Sequence, residues 1–411
     1  MKILFLHQNF PGQFKHLAPA LAALGHEVHA LRLSDQPGQT WRGVQVHTYK
    51  PARSSTPHVH PWVLDFEAKV IRGEAVMHWA MQYRDSQGFH PDVVVAHPSW
   101  GESLFIKQVW PKTKLGVFCE MHYQAHGQDV DFDPEFASSD VGVGSRLFIK
   151  NAVNLLHNDL VDAAISPTHW QASTYEPRMR QRITVVHDGV ATDQIQPQPD
   201  ARLDLGSGLI FTRDDEVVTY VSRNLEPYRG YHIFMRALPA LLRQRPQAHV
   251  LIVGGDGVSY GAKPPEGQTW KQVFMDEVRG QISDADWARV HFVGRLPYDQ
   301  FLTMLQISRV HVYLTYPFVL SWSLIEAMST GCAIVASDTA PVLEAIEDGV
   351  TGQLVHFFDH QALVQSIDDL LDQPDERARL GAQARARAIE RYDLHTVCLP
   401  QQLAWVQALA A

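Results

Sequence analysis

Apolar runs of strand length recur along the chain, each followed by a polar loop and then by a stretch with helical spacing. Lys2–His7 reads as a buried strand, Pro11-Gly12 as a turn, and Leu17, Leu21 and Leu24 as one face of a helix that stops at Gly25. Val28–Leu33, Val93–Ala96, Leu115–Cys119, Ala163–Ser166 and Ile183–Val186 continue the rhythm. Strands that are apolar throughout, with helical candidates between several of them, predict a mainly parallel sheet covered on both faces. From Gln194 to Gly208 the periodicity stops in a polar stretch with Pro197, Pro199, Gly206 and Gly208, which reads as a domain linker. The rhythm then restarts with strands at Val217–Val221, Val250–Val253, Val290–Phe292, Val310–Leu314 and Ala333–Ala336, and helices at Ile233–Leu242 and Ser321–Thr330. The fold class is therefore α/β, two doubly wound domains in tandem spanning 1–198 and 209–384, with ligands expected at the carboxyl ends of the strands. The Ala-, Arg- and Leu-rich end of the chain reads as helical.

Composition narrows the function classes. The 411 residues are 45% hydrophobic and 19% charged, the balance of a folded chain rather than a disordered one. Lys plus Arg number 35 against 45 Asp plus Glu, a formal charge of −10, and no basic run is long enough to track a polyanion, so nucleic acid is not an expected partner. Cys119, Cys332 and Cys398 stand far apart, with neither CxxC pairing nor an even count, which fits a reducing compartment. Met1–Leu6 lacks the pattern of a signal peptide, and no uncharged stretch approaches the ~20 residues of a membrane span. A cytoplasmic chain is expected, a location compatible with peripheral contact at the inner face of the membrane.

Two segments concentrate the candidate chemistry. Tyr220–Gly230 runs from a strand into a loop carrying Arg223 and Arg229, permanently charged planar forks suited to phosphate oxygens. The alternative is a pair of surface arginines neutralised by local acids such as Glu226. Ser321, Trp322 and Ser323 open a helix whose first-turn amides suit a phosphate oxygen, and Glu326 suits the hydroxyls of a ligand. The alternative there is a capping box made by Ser323 and Glu326.

Gly12 lies where backbone can approach a ligand closely, or is an ordinary turn glycine. His122 follows the strand Leu115–Cys119 and His97 ends another, although most of the 22 histidines must be structural. Trp62, Trp79, Trp100, Trp170 and Trp322 offer either sugar-stacking faces or core. Gly254-Gly255-Asp256-Gly257 is not a dinucleotide fingerprint, and HExxH does not occur. The acidic cluster of Asp129, Asp131, Asp133 and Glu135 does not reproduce an EF-hand loop and reads as a solvated acidic loop rather than a metal site.

Taken together these segments resemble the GT-B glycosyltransferases, in particular retaining family 4 (glycosyl transferases group 1). Tyr220–Gly230 is similar to the family's strand-Gly-Arg-x5-Lys-Gly segment, with Arg223 and Arg229 at its two cationic positions. Leu251–Gly257, Val290–Leu296, Ile325–Met328 with Gly331, Ala333–Ser337 and Asp348–Gly352 look like family landmarks in order, and Leu24–Val28 and Val186–Val190 are looser matches. One position departs: counting back eight from Glu326 lands on Phe318, where the family carries its first glutamate.

The resemblance implies two Rossmann-like domains with a cleft between them, and a C-terminal helix over 385–411 that crosses back to the first domain. It implies a nucleotide diphosphate sugar donor, a hydroxyl acceptor such as a glycan, lipid-linked sugar or small glycoside, retention of configuration, and neither cofactor nor metal. Gly294, Arg295 and Leu296 would lie near the base and Glu326 on the ribose. Arg223, Arg229 and the amides of Ser321 to Ser323 would hold the diphosphate, His122 would face the sugar, and Gly12 would lie near phosphate and acceptor. Two other readings stay open: a GT-B-like nucleotide-sugar or partner-binding protein without turnover, motivated by Phe318, and an epimerase or phosphorylase on the same architecture.

Overall fold

A strand buried on both faces delivers alternate side chains to opposite layers, and the first strand does so without a polar interruption. In β1 (Lys2–Leu6), Ile3 and Phe5 join one core while Leu4 and Leu6 join the other. The computed structural model describes residues 1–206 and 208–411, so residue 207 of the linker lies outside the described residues. The chain divides into two compact units: Met1–Ala125 with Ser138–Asp188 and His395–Ala411, and His126–Ala137 with Gly189–Leu394.

The first unit holds an eight-stranded sheet. Its strands are β1, β2 (Glu27–Leu33), β3 (Gln39–Trp41), β4 (Val44–Tyr49), β5 (Val93–Ala96), β6 (Lys114–Phe118), β7 (Ala163–Ser166) and β8 (Ile183–Val185), in the order β3-β4-β2-β1-β5-β6-β7-β8. All neighbours are parallel except the β3–β4 hairpin. Winding reverses between β1 and β5, so the switch point lies where His7 and His97 leave those strands.

The second unit begins with an antiparallel pair, β9 (Arg202–Asp204) and β10 (Ile210–Thr212). Its main sheet is parallel throughout and comprises β11 (Val217–Asn224), β12 (His249–Gly255), β13 (Val290–Gly294), β14 (Val310–Tyr313), β15 (Ala333–Ser337) and β16 (Gln353–Val355). The order β13-β12-β11-β14-β15-β16 puts the switch point between β11 and β14. Strand β11 runs three residues past the apolar segment Val217–Val221, its pairing with β12 broken by a register shift between Val221 and Asn224.

Three boundaries differ from the sequence expectation. Residues 189–198 belong to the second unit, because Val190 and Ile195 are buried in its core. The terminal helix does not restart at 385: one helix runs Pro374–Tyr392, and its Ala384, Ala388 and Tyr392 are buried in that same core. The chain rejoins the first unit at His395, where the helix Leu399–Ala410 buries Trp405, Val406 and Leu409. The segment His126–Ala137, early in sequence, belongs to the second unit.

Candidate active site

Arg229 ends a single 3-10 turn, Pro227–Arg229, at the carboxyl edge of β11. Gly230 follows at φ +71, where an added Cβ would overlap Leu314, so only glycine turns the chain here into the helix Tyr231–Gln244. The Arg229 side chain is turned inward and 9% exposed. Its Nη1 donates to Thr315 Oγ1 at 2.8 Å, the Val319 carbonyl at 3.1 Å and the Tyr313 hydroxyl at 3.4 Å, all in or just after β14. Its Nε and Nη2 make no hydrogen bond among the described residues, which leaves an anchored fork with donors to spare.

Arg223 is exposed and makes no side-chain hydrogen bond or ion pair among the described residues. Glu226 neutralises neither arginine by contact. It is fully buried, and its Oε2 accepts from the amides of Ser259 at 2.8 Å and Tyr260 at 3.2 Å, fixing the loop after β12. Burial pushes its carboxyl above the usual range, partly offset by those amides and by the two arginines. The pair of surface arginines paired with Glu226 is therefore not what forms.

The helix Trp322–Ser329 starts after an N-cap at Ser321, not Ser323. Ser321 Oγ accepts from the Ser323 amide at 3.3 Å, so Ser323 and Glu326 do not form the capping box. This self-capping changes the expected phosphate role of these residues: the Ser321 amide donates to the Tyr313 hydroxyl at 2.9 Å, and the Ser323 amide is the one taken by Ser321. One hydroxyl, that of Tyr313, thus joins the guanidinium of Arg229 to the start of this helix. Trp322 is half-buried at its first position.

Glu326, buried on this helix, accepts from the Tyr298 hydroxyl at 2.6 Å through Oε1. Tyr298 stands just past the Gly294-Arg295-Leu296 loop and was not singled out in the sequence; its place directly after a landmark was the available clue. Gly294 has φ +67 and open space where a Cβ would go. The exposed Arg295 donates from Nη2 to Asn224 Oδ1 at 3.2 Å, and Asn224 donates to Ser259 Oγ at 2.6 Å, tying the carboxyl ends of β11, β12 and β13 together. Leu296 is half-buried and packs partly against the second core.

Phe318 is 3% exposed, with its ring 4.7 Å from Tyr260, 5.5 Å from Tyr228 and 5.7 Å from the Arg229 guanidinium. An aromatic cluster occupies the position of the family's first glutamate. Against it lies His126–Ala137. Asp129 accepts from the Tyr228 hydroxyl at 2.9 Å, and Asp133 accepts from the Tyr316 hydroxyl at 2.7 Å with His232 Nε2 2.9 Å away. Asp129 and Asp133 are each 4% exposed, which overturns the reading of this cluster as solvated, while Asp131 and Glu135 remain exposed. Asp133, Glu135 and His232 bring one ligating atom each within 4.8 Å, but both Glu135 oxygens are held by Arg236 at 2.7 and 2.8 Å.

In the first unit Gly12 has φ +47, and an added Cβ would overlap the His7 imidazole, so the close approach it permits is to His7. His7 Nε2 lies 2.8 Å from Gln13 Oε1, and Gln13 in turn donates to Glu120 at 3.4 Å. His97, fully buried, stacks 5.3 Å from Phe118 and lies 4.5 Å from Trp100. Burial pushes His7 down to about 4 and His97 well below the ordinary range, so both are neutral at pH 7. His122 is half-buried, its amide donating to Thr174 Oγ1 at 3.0 Å and its ring 5.9 Å from Tyr175; burial lowers its pKa. Trp79 stacks on Tyr83 at 4.9 Å, and Trp62 lies at the surface.

Residues 24–195 match the family described as Glycosyl transferase family 4 group, and residues 210–387 match Glycosyl transferases group 1. The chain is 27% identical over 250 residues to D-inositol 3-phosphate glycosyltransferase of Streptomyces scabiei, covering 60% of this chain and 52% of that protein. It is 29% identical over 193 residues to phosphatidyl-myo-inositol mannosyltransferase of Mycolicibacterium smegmatis, 46% of this chain and 44% of that one. The aligned region spans about half the length of these relatives. Among solved structures, HepE of Anabaena in complex with UDP and glucose superposes with a TM-score of 0.67 at 18% identity over 99% of both chains. Sucrose-phosphate synthase of Thermosynechococcus elongatus does so with 0.72 at 18% identity over 100% of both. At such identity the likeness concerns the fold.

Proposed function

Since the chain belongs to the GT-B glycosyltransferases of the group 1, family 4 type, we propose that it moves a hexose from a nucleotide diphosphate sugar to a hydroxyl acceptor. Configuration is retained and no metal is needed. The observation that carries this reading is the anchoring of Arg229: a buried guanidinium fixed through Nη1 to Thr315 and Val319 at the switch point, with Nε and Nη2 uncommitted. Breaking the bond between the anomeric carbon and oxygen leaves charge on the departing diphosphate and an oxocarbenium-like sugar. A cation already in place stabilises that charge most when it is greatest, and losing one such donor typically costs about 2.7 to 4 kcal/mol of barrier.

In this reading Arg223 supplies the second charge, Glu326 accepts from the ribose, and Gly294 and Arg295 border the base. His122 attends the sugar, and Gly12 serves through the His7 and Gln13 it lets approach. HepE was crystallised with UDP-glucose, which makes a uridine diphosphate hexose the first donor to try. A thermal-shift screen of nucleoside diphosphates and their sugars, followed by donor consumption with a cell-extract acceptor, tests the proposal. Stabilisation by one nucleotide together with acceptor-dependent release of its diphosphate is expected. Binding without release would favour the non-catalytic reading that Phe318 motivates, and an altered free nucleotide sugar would replace transfer by epimerisation.

A further inference from the structure

The second unit has a cavity of about 490 Å³ at the amino-terminal ends of its strands, on the edge opposite the carboxyl ends where Arg229 lies. It is lined by Arg213, Arg309, Arg377 and Arg385, and by no acidic residue. Arg309 precedes β14, Arg213 lies between β10 and β11, and the other two project from the helix Pro374–Tyr392. Gly381 of that helix passes so near the Gly331 carbonyl that an added Cβ would overlap it, which closes the floor.

None of the four guanidinium groups has a carboxylate within ion-pair distance among the described residues, although ten other arginines do. Three are fixed by backbone carbonyls: Arg309 by those of residues 213 and 214 at 2.9 and 2.8 Å, Arg377 by Leu370 and Leu371, and Arg385 by Thr192, Ile195 and Ser329. Those bonds use Nη1 of Arg377 and leave its Nε and Nη2, Nη1 of Arg309 and the whole Arg213 fork uncommitted among the described residues. Like charges gathered in one concavity oppose folding unless an anion joins them. Arg377 registers this crowding: burial lowers its pKa first, Arg309 and then Arg213 and Arg245 lower it further, and Glu216 only partly offsets them.

We propose that this pocket binds a small phosphorylated anion carrying two or more charges, at a site separate from the donor site. Carbonyl-anchored guanidinium forks present parallel donors that match phosphoryl oxygens, and the cavity is of the size that small ligands occupy.

Isothermal titration of the full chain tests this, with pyrophosphate as one probe and glucose 6-phosphate as the other, distinguishing a free diphosphate from a sugar phosphate. Arg213→Gln is the primary variant, because that side chain is exposed and makes no hydrogen bond among the described residues, so folding is expected to be retained. At least one probe should bind with Kd below about 1 mM. That binding should persist in Arg229→Ala and weaken on the order of tenfold in Arg213→Gln and in Arg377→Gln. Wild-type affinity in Arg213→Gln, loss of all binding in Arg229→Ala, or no binding of either probe would each overturn the proposal.

Discussion

Arg229 and Arg223 were equivalent as letters and are opposite as side chains. Arg229 supports Thr315 and Val319 as well as any ligand, so Arg229→Ala strips buried acceptors of their donor, at about 1–3 kcal/mol. Its thermal midpoint should fall by several degrees, whereas Arg223→Ala should leave stability within about 0.5 kcal/mol of wild type. Both should weaken nucleoside diphosphate binding. Calorimetry on each variant below its own melting point separates the two effects, and unchanged affinity in both would remove the arginines from the donor site. Tyr298 is a finer case. Its hydroxyl donates to one oxygen of Glu326, so Tyr298→Phe removes that hydrogen bond and keeps the carboxylate. The expected result is a donor KM higher by roughly three- to tenfold, the size of one hydrogen bond, with kcat nearly unchanged. A fall in kcat at constant KM would place Tyr298 in the chemical step instead.

Elements were legible where burial was uniform. Val93–Ala96 and Ala163–Ser166 begin and end where their apolar runs do, because strands covered on both faces have no polar position to blur them. The β3–β4 hairpin was missed although Arg42 and Gly43 at its turn, with φ +48 and +83, precede an alternating Val44 and Val46. The helix Leu64–Gln87 was harder, since its buried positions include Lys69 and Gly73 and break the apolar stripe. His126–Ala137 was out of reach: the partners that bury Asp129 and Asp133 lie 99 to 183 residues downstream, and local composition reads four acids as solvated. What holds this segment is also what would release it. Asp133→Asn removes the charge that the Tyr316 hydroxyl and His232 surround, and Phe132→Ala removes the ring packed 5.1 Å from Tyr316 and from Phe358. Each should open residues 126–137 to limited proteolysis while the two sheets stay folded by circular dichroism. Resistance equal to wild type in the double variant would mean that other contacts hold the segment.

Across the whole molecule the histidines set a pH window. His7, His157 and His187 in the first unit and His311 in the second are pushed down to about 4, chiefly by burial, and His97 lies well below its ordinary range. Their folded pKa values lie beneath the unfolded value of about 6.5, so the fold keeps its full stability above that pH. As pH falls from about 6.5 towards 4 the unfolded chain binds protons that the native chain refuses, and each group steepens the loss by up to about 1.4 kcal/mol per pH unit. Below the folded values that contribution is gone and the dependence flattens. Four of these five groups lie in the first unit, where His7 and His97 stand at the ends of β1 and β5, so acid should weaken that sheet first. Hydrogen exchange at pH 5 should show the β1 and β5 amides losing protection relative to pH 7.5 by a larger factor than those of β11 and β14. Equal losses in the two sheets would mean that carboxylates shared by both units, and not the buried imidazoles, govern acid sensitivity.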